Sequence, residues 1–157
     1  MSVSDSIMFG VCLWYKVFTN SNLQVLIDRL RNTFQSLPLQ AHITVKANSF
    51  NIDDDYGYFN SIPKPYFVFG PMRQTVTLGS NGTRFYALQR DLYLNGSTSQ
   101  ISTYHMSFAY RYSKFTDEEL EYANRETAFF ERIDPQEFEL QVWQCQNYDT
   151  RAWQRLK

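Results

Sequence analysis

The stretch AHITVKA, residues 41–47, alternates apolar and polar side chains, a pattern typical of a short strand with one buried face. The polar face would carry His42, Thr44 and Lys46. An offset of two along a strand places two side chains on the same side of the sheet. The pattern therefore predicts that the imidazole of His42 and the hydroxyl of Thr44 lie side by side on one face of the strand.

The same pairing of histidine and hydroxyl occurs once more. The chain has two histidines, and the second, His105, is followed at the same offset by Ser107 in YHMSFAYR, residues 104–111, which also has the pattern of a strand. Both histidines finding a hydroxyl at this offset by chance has a probability of about one in fifty. We therefore expect the two H-x-[ST] pairs to belong to one site.

The first half of the chain predicts a strand, a helix and a strand. Residues 7–17 (IMFGVCLWYKV) are apolar and aromatic enough for a buried strand. Asn20 or Ser21 is positioned to cap a helix that ends at Pro38. Its apolar side chains recur at helical spacing: Leu23, Leu26, Ile27, Leu30 and Phe34. The helix therefore leads directly into AHITVKA.

The middle of the chain predicts a short helix or ordered loop and then a hairpin. Asp53 is a candidate cap for the short helix, which would reach Asn60. Two runs rich in aromatic and branched residues flank Ser80-Asn81-Gly82, and an Asn-Gly pair between such runs favours a hairpin. Pro71 within the first run indicates a bulge or an edge position. A polar loop then leads to YHMSFAYR.

The last third of the chain predicts a helix and one or two strands. Thr116 and Glu119 have the spacing of a capping box, and the helix they begin would continue until Asp134-Pro135. EFELQVWQCQ, residues 137–146, alternates as a strand does, and a final strand is expected over Trp153 to Leu156. The whole order predicts an α+β fold in which helices cover mostly antiparallel sheet. Each half offers one strong helix and one histidine strand, a weak internal repeat.

Length and composition limit the class of protein. The 157 residues suit one domain, residues 1–157, and 43% hydrophobic residues with 17% aromatics are typical of a folded chain. No apolar run is long enough to span a membrane, and the N-terminal stretch lacks the basic residues of a leader, so we expect a cytoplasmic protein. A net charge of −1 argues against binding of duplex DNA. Cys12 and Cys145 lie in predicted strands without C-x-x-C spacing and are expected to be buried free thiols.

Two imidazoles, each beside a hydroxyl, suit acid–base cleavage of a phosphodiester. One neutral histidine can take a proton from the attacking water while a protonated partner gives one to the departing oxygen. Thr44 and Ser107 would donate hydrogen bonds to the non-bridging oxygens of the phosphate. This chemistry requires no metal and no cofactor. It predicts His42, His105, Thr44 and Ser107 as catalytic residues.

Other interpretations of the histidines are weaker. A strand histidine beside a threonine is often only a satisfied polar position, but the duplication favours function. Zinc binding is disfavoured because no cysteine or acidic residue has suitable ligand spacing. A serine–histidine nucleophile is disfavoured because the chain has no G-x-S-x-G elbow. A nucleotide-binding or RNA-binding module that keeps the cleft without turnover remains the alternative from another class.

The two motifs, His42-Ile43-Thr44 and His105-Met106-Ser107, resemble the tandem H-x-[ST] motifs of the 2H phosphoesterase superfamily, which includes ligase-T-like RNA 2′,3′-cyclic phosphodiesterases. Within it, the chain is most similar to the small cyclic nucleotide phosphodiesterases of plant and yeast type. LWY near the start, HMSFAY followed by a T-x-E-E-L helix, and a Trp before the C-terminal strand occur there in similar order. The likeness extends over nearly the whole chain, but only the two histidine motifs are specific.

The resemblance implies two pseudo-symmetric lobes whose antiparallel sheets and flanking helices surround a central cleft, with the two histidines facing each other across it. It implies opening of a 2′,3′-cyclic phosphate, usually to a 2′-phosphate, without a cofactor. Trp14 and Tyr110 match aromatic positions near the family's site, where they would stack on a base or ribose. Simple alternation puts Tyr110 on the opposite face from His105 unless a bulge intervenes. Three basic residues are candidates for adding positive potential to the cleft: Lys46, Arg84 and Arg111.

The substrate class is left open by the sequence. The chemistry also suits nucleotide second messengers of host immunity, such as 2′,5′-oligoadenylates or cyclic dinucleotides, which compact viral members of the superfamily degrade. The expected partner in every version is a small nucleotide or oligonucleotide. Which histidine is the acid and which the base, and the oligomeric state, do not follow from the sequence.

Overall fold

The computed structural model describes residues 9–78, 82–97, 104–145 and 149–157. Eight strands, three α-helices and two 3₁₀ turns make up this part of the chain. In chain order they are β1 Gly10–Val17, α1 Asn22–Phe34, β2 His42–Lys46, α2 Ile52–Ser61, β3 Phe67–Leu78, β4 Arg84–Leu94, β5 Tyr104–Arg111, α3 Asp117–Thr127, β6 Arg132–Ile133, a turn at Pro135–Glu137, β7 Phe138–Cys145, a turn at Thr150–Ala152 and β8 Gln154–Arg155.

The strands form two separate antiparallel sheets, so the predicted α+β class is confirmed. One sheet, here sheet A, has the order β2-β1-β7-β8, and the other, sheet B, has the order β5-β4-β3-β6. The histidine strands β2 and β5 each lie at one edge of their sheet and contact each other. Each sheet therefore brings one histidine to the junction between the two sheets.

Helix α1 closes the core beside both histidine strands. Ser21, one of its two predicted caps, accepts a hydrogen bond from the amide of Gln24, and the helix ends where Gln35 adopts a left-handed backbone conformation. The helix therefore ends before Pro38. Its buried face joins one apolar core that includes Ile43 of β2 and Phe108 of β5. Burial of this shared core against both sheets fixes where the two histidine strands lie.

Both histidine strands carry a bulge in the same place. Trp14 of β1 pairs with Thr44 of β2, whereas Leu13 of β1 pairs with Lys46. Val45 is therefore an extra residue in β2. In β5, Gln89 pairs with Ser107 but Leu88 pairs with Ala109, so Phe108 is extra. In each strand the extra residue directly follows the hydroxyl residue of the H-x-[ST] pair.

The bulge in β2 corrects one expectation. Lys46 was expected to share the face of His42 and Thr44, but the extra residue turns it to the opposite face. There its ammonium lies 3.4 Å from the carboxylate of Asp55 on α2. Pro71 indicated a bulge or an edge position in β3, and the structure has the bulge: the pairing with β4 shifts between Phe69 and Met72.

Several helix and strand boundaries differ from the expected ones. The capping box of Thr116 and Glu119 is confirmed, but α3 ends at Thr127 because the chain then turns and Arg132–Ile133 pairs with β3. The start of helix α2 differs as well, because the helix is capped by Asn51 and not by Asp53, the candidate named from the sequence.

The C-terminal and N-terminal strands are also shorter than expected. The last strand covers only Gln154–Arg155, and the first begins at Gly10. Residues 7 and 8, part of the hairpin turn and part of the polar loop before β5 lie outside the described residues. None of the described helices is long and apolar enough to cross a membrane.

Candidate active site

A pocket lies where β2 of sheet A meets β5 of sheet B. Its volume is about 70 Å³. All six residues predicted for the site line it: Trp14, His42, Thr44, His105, Ser107 and Tyr110. Five residues that the sequence did not assign to the site complete the lining: Phe9, Cys12, Leu39, Cys145 and Trp153.

His42 is held tightly on the sheet A side. Its ring stacks on the indole of Trp14 with a centroid distance of 3.5 Å and an angle of 13° between the planes. Its Nδ1 lies 2.6 Å from the carbonyl oxygen of Gln40, so Nδ1 carries the proton and donates it to that oxygen. Nε2 is then left with the lone pair. The tautomer is set by the backbone two residues before the histidine.

Burial makes His42 a neutral imidazole. Removal from water is the main cause that lowers its pKa to about 3; the hydrogen bond to Gln40 acts in the opposite direction, and the charges of His105 and Lys16 add to the lowering. The two rings line the same pocket, so a charge on His105 opposes a charge on His42. A neutral His42 with a free Nε2 has the form that a general base requires.

His105 has a more open environment. It is exposed, and it lies directly across from Asp91 of β4, whose carboxylate also binds Arg73 at 3.0 Å. Desolvation lowers the pKa of His105 below its usual range, Arg73 lowers it further, and Asp91 raises it. Desolvation therefore has the largest effect on the pKa of this ring, and the ion pair on the adjacent strands of sheet B adjusts it through two opposing charges.

The two hydroxyls of the motifs are available to a ligand. Thr44 and Ser107 both line the pocket, and within the described residues neither side chain makes a hydrogen bond. Hydroxyls in strands usually bond to backbone or water. Here they present donors to the space between the two imidazoles.

Tyr110 reaches the pocket because of the bulge in β5. Ser107 pairs with Gln89, and Tyr110 pairs with Ala87, two residues further along the same face of β4. The extra residue Phe108 therefore inverts the alternation and puts Tyr110 on the face of His105. The position predicted from the resemblance is thus compatible with the pocket.

Trp14 cannot offer a face to a base in this arrangement, which corrects the stacking expected for it. The side chain is 1% exposed. One face of the indole is covered by His42 of β2, and the other packs on Trp143 of β7 at 4.5 Å, because β1 lies between these strands. Trp14 therefore lines the pocket and supports the imidazole with one face, while Trp143 backs the other.

The segment before β2 is positioned by a residue that the sequence reading missed. Gln24 of α1 is 3% exposed; its amide donates to the carbonyl of Leu39 at 3.0 Å, and its oxygen accepts from the amide of Ala41 at 2.6 Å. These bonds lie on either side of Gln40, whose carbonyl fixes His42. A polar residue on the apolar face of a predicted helix was the available signal.

Trp153 closes the pocket from the C-terminal segment. On sheet A, the centroid of its ring lies 5.7 Å from that of Trp14 and 6.1 Å from that of His42. On sheet B, the distance to the ring centroid of Tyr110 is 6.3 Å. The aromatic edge contacts therefore connect the two sheets across the site. No spacing in the sequence linked this tryptophan to the histidines.

The three basic candidates do not line the pocket. Lys46 is turned toward Asp55, as described above. Arg111 binds both carboxylate oxygens of Glu119 at 2.6 and 2.8 Å and lies 4.1 Å above the ring of Phe115. Arg84 lies at the start of β4 beside a different surface cavity. None of the three therefore places its charge in the lining of the pocket.

Within the ranges that the structure describes, no group of three or more histidine, cysteine or acidic side chains is arranged to hold a metal ion. No protein-family model matches the chain, and a search of the curated proteins found no match.

Proposed function

We propose that the protein is a metal-independent phosphodiesterase that hydrolyses a cyclic phosphodiester by two-histidine acid–base catalysis. The observation that carries the proposal is that both H-x-[ST] pairs, which belong to edge strands of different sheets, line a single pocket. Two proton-transfer groups and two hydroxyl donors around one small cavity match the needs of phosphoryl transfer. The substrate we favour is the 2′,3′-cyclic phosphate of a nucleotide or an RNA end.

His42 acts as the general base in this mechanism. Its Nε2 takes a proton from water as the water oxygen attacks phosphorus, and the bond from phosphorus to the 3′ oxygen breaks. The hydrogen bond from Nδ1 to Gln40 supports the positive charge that then forms on the ring. Stacking on Trp14 keeps the ring in position during the transfer.

His105 acts as the general acid. Its proton goes to the departing 3′ oxygen, so that the product is a 2′-phosphate and the two histidines exchange their protonation states. The anionic substrate raises the pKa of His105 when it binds, which offsets the lowering by desolvation and Arg73. Thr44 and Ser107 donate hydrogen bonds to the non-bridging oxygens and stabilise the charge that develops on them.

The wider proposal is membership of the 2H phosphoesterase superfamily with its two pseudo-symmetric lobes. The equivalent bulges after Thr44 and Ser107 and the edge position of both histidine strands support it. We also propose a cytoplasmic location, because Cys12 and Cys145 are buried free thiols and thiols remain reduced there.

The proposal is tested by activity on 2′,3′-cyclic AMP in the presence of EDTA. Wild type is expected to remain fully active, and His42→Ala and His105→Ala are each expected to lose about a thousandfold in kcat. The double variant tests whether the two histidines act together. Its kcat should be no lower than that of either single variant, because the two groups act as a unit. Loss of wild-type activity in EDTA would contradict the proposed chemistry.

The substrate class is resolved by a panel with product identification by mass. We would compare 2′,3′-cyclic AMP, 2′,5′-linked triadenylate and a cyclic dinucleotide at the same concentration. Preference for one of the latter two would assign the protein to the degradation of nucleotide second messengers. Binding of a ligand without any product over a wide pH range would show a non-catalytic nucleotide-binding module instead.

A further inference from the structure

Two thiols lie together at the floor of the pocket. Cys12 of β1 pairs with Trp143, and Cys145 of β7 pairs with Gly10, so the two cysteines occupy diagonal positions on the same face of adjacent strands. Both are buried, at 2% and 1% exposed, and both line the pocket that contains the histidines. The proposed mechanism uses neither of them.

The two thiols are close enough to influence each other's ionisation. The thiol of Cys12 donates to the carbonyl oxygen of Phe9 at 3.1 Å. The neighbouring Cys145 lowers the pKa of Cys12 against the effect of burial, whereas the neighbouring Cys12 and burial raise the pKa of Cys145. The pair therefore consists of one thiol that is easier to ionise and one that remains protonated beside it.

We propose that Cys12 and Cys145 form an oxidative modification site that reacts with a small hydroperoxide and closes to a disulfide beneath the candidate active site. The part of the proposal that concerns activity rests on the proposed phosphodiesterase function. The chemical part stands on the placement of the two thiols alone.

The reaction is a two-electron oxidation with hydrogen peroxide as the oxidant. The Cys12 thiolate attacks one peroxide oxygen, an S–O bond forms, the O–O bond breaks, and the leaving hydroxide takes a proton to become water. The sulfur of Cys145 then attacks the sulfenic sulfur of Cys12, an S–S bond forms, and a second water leaves. Two thiols are oxidised, and one peroxide is reduced to two waters.

The pocket provides the access that burial would otherwise deny. Its volume of about 70 Å³ exceeds what a water molecule needs, and hydrogen peroxide is only slightly larger. A bulky aromatic disulfide reagent does not fit. The site should therefore discriminate between oxidants by size.

The disulfide would change the shape of the pocket. Diagonal positions on antiparallel strands are about 7–8 Å apart, whereas the Cα atoms of a disulfide are usually about 5.5–6 Å apart. The ends of β1 and β7 must therefore approach each other. Trp14 and Trp143, which stack beside His42, are each two residues from one of these cysteines on the same strands. A shift of this stack displaces the imidazole, and displacement of about 1 Å can cost up to about a hundredfold in rate.

The chain suits a direct test of the thiol chemistry because it has two cysteines and three tryptophans. All three tryptophans belong to the cluster around the two thiols. After treatment of the native protein with hydrogen peroxide, wild type is expected to lose two hydrogen atoms in mass and to change in tryptophan fluorescence, both reversibly with dithiothreitol. Cys145→Ser should stop at a sulfenic acid on Cys12, seen as a gain of one oxygen atom in the mass of the peptide that contains it, and Cys12→Ser should form neither the sulfenic acid nor the disulfide.

The activity measurement separates this proposal from the proposed function. Oxidised wild type is expected to lose about tenfold or more in kcat/KM on 2′,3′-cyclic AMP and to recover with dithiothreitol, while Cys12→Ser keeps its activity in peroxide. Thiols that remain reduced while methionines oxidise would overturn the proposal, and so would a disulfide that leaves both kcat/KM and fluorescence unchanged. A protein that forms the disulfide and changes fluorescence but hydrolyses nothing would retain the modification site and refute only the phosphodiesterase.

Discussion

At the scale of single residues, two histidines of equal chemistry have different environments. His42 is stacked, hydrogen-bonded through Nδ1 and held neutral by burial. His105 is exposed, and its pKa responds to the opposing charges of Asp91 and Arg73. Under the proposed function, this difference favours the first ring as the base and the second as the acid, a choice that the sequence left open.

The assignment predicts the pH dependence of kcat/KM. The acid must be protonated in the free enzyme, so kcat/KM should fall about tenfold per pH unit above the lowered pKa of His105. No acidic loss is expected until pH approaches about 3, because His42 remains neutral down to that value. Measurement of kcat/KM on 2′,3′-cyclic AMP across acidic and neutral pH tests this. An acidic limb with an apparent pKa near 6.5 would contradict the assignment.

Two substitutions should move the alkaline limb in opposite directions. Asp91→Asn removes the charge that raises the pKa of His105 and leaves Arg73 unopposed, so the limb should move to lower pH. Arg73→Gln removes the charge that lowers this pKa, so the limb should move to higher pH. The pair is its own control, since both variants break the same ion pair. Shifts of the same sign would show that loss of the pair, and not charge on His105, is responsible.

The hydroxyls are predicted to act mainly in the transition state. Ser107→Ala and Thr44→Val each remove a donor to the non-bridging oxygens and should lower kcat by about a hundredfold with little change in KM. Thr44→Ser keeps the donor and should recover most of the rate. Steady-state kinetics separates the two parameters. A rise in KM with unchanged kcat would assign the hydroxyls to ground-state binding instead.

The sequence predicted the site residues only as far as local alternation reaches. The offset of two put each hydroxyl beside its histidine, which needs nothing beyond the strand itself. The positions of Lys46 and Tyr110 depend on bulges, and bulges depend on how the neighbouring strand pairs. The stacking of Trp14 depends on the order β2-β1-β7, which no local pattern contains.

At the scale of the secondary-structure elements, helix α1 does more than cover the sheets. The buried amide of Gln24 bonds the backbone on both sides of Gln40, and so orients the carbonyl that fixes His42. Leu37, earlier in the same connection, donates its amide to the carbonyl of Tyr110 at 2.7 Å. The segment between α1 and β2 is therefore tied to both histidine strands.

Gln24→Leu should weaken both the fold and the site. It leaves the carbonyl of Leu39 and the amide of Ala41 buried without partners, so the free energy of unfolding should fall by about 2 kcal/mol. kcat should fall as well, because the backbone next to His42 loosens. Urea unfolding and kinetics at one pH check the two effects.

The control is Asp28→Ala: Asp28 is an exposed partner of Gln24, and its loss should change stability by less than about 0.5 kcal/mol. Equal effects of the two substitutions would contradict the anchoring role of Gln24.

Helix starts were easier to predict than helix ends. The capping box of Thr116 uses side chains three residues apart, so its signal is entirely local. The end of α3 is set by the pairing of Arg132–Ile133 with β3, more than sixty residues earlier in the chain. The same contrast explains why Ser21 was among the predicted caps of α1 while the left-handed Gln35 that ends it was not.

At the scale of the whole molecule, the site exists only between the sheets. β2 and β5 are far apart in sequence and belong to different sheets, and the shared core under α1 brings them together. The duplicated motif predicted that the two histidines would meet, but it contained no information on what would connect the sheets around them. Trp153 makes this connection, since its ring contacts Trp14 and His42 on sheet A and Tyr110 on sheet B.

Removal of the Trp153 ring should therefore affect the site more than the fold. Trp153→Ala leaves a gap between the sheets, so the free energy of unfolding should fall by about 2 kcal/mol and kcat/KM by about tenfold or more, because the His42 ring gains room to move. Trp153→Phe keeps an aromatic edge and should recover most of both.

The matched control is Leu156→Ala in the same segment. This side chain is 53% exposed and away from the pocket lining, so neither stability nor kcat/KM should change appreciably. Thermal unfolding and steady-state kinetics of the three variants distinguish the outcomes. If Trp153→Ala lowers stability but leaves kcat/KM unchanged, the C-terminal segment only fills space. If kcat/KM falls and Trp153→Phe restores it, the geometry of the two histidines depends on an aromatic contact that connects the two sheets.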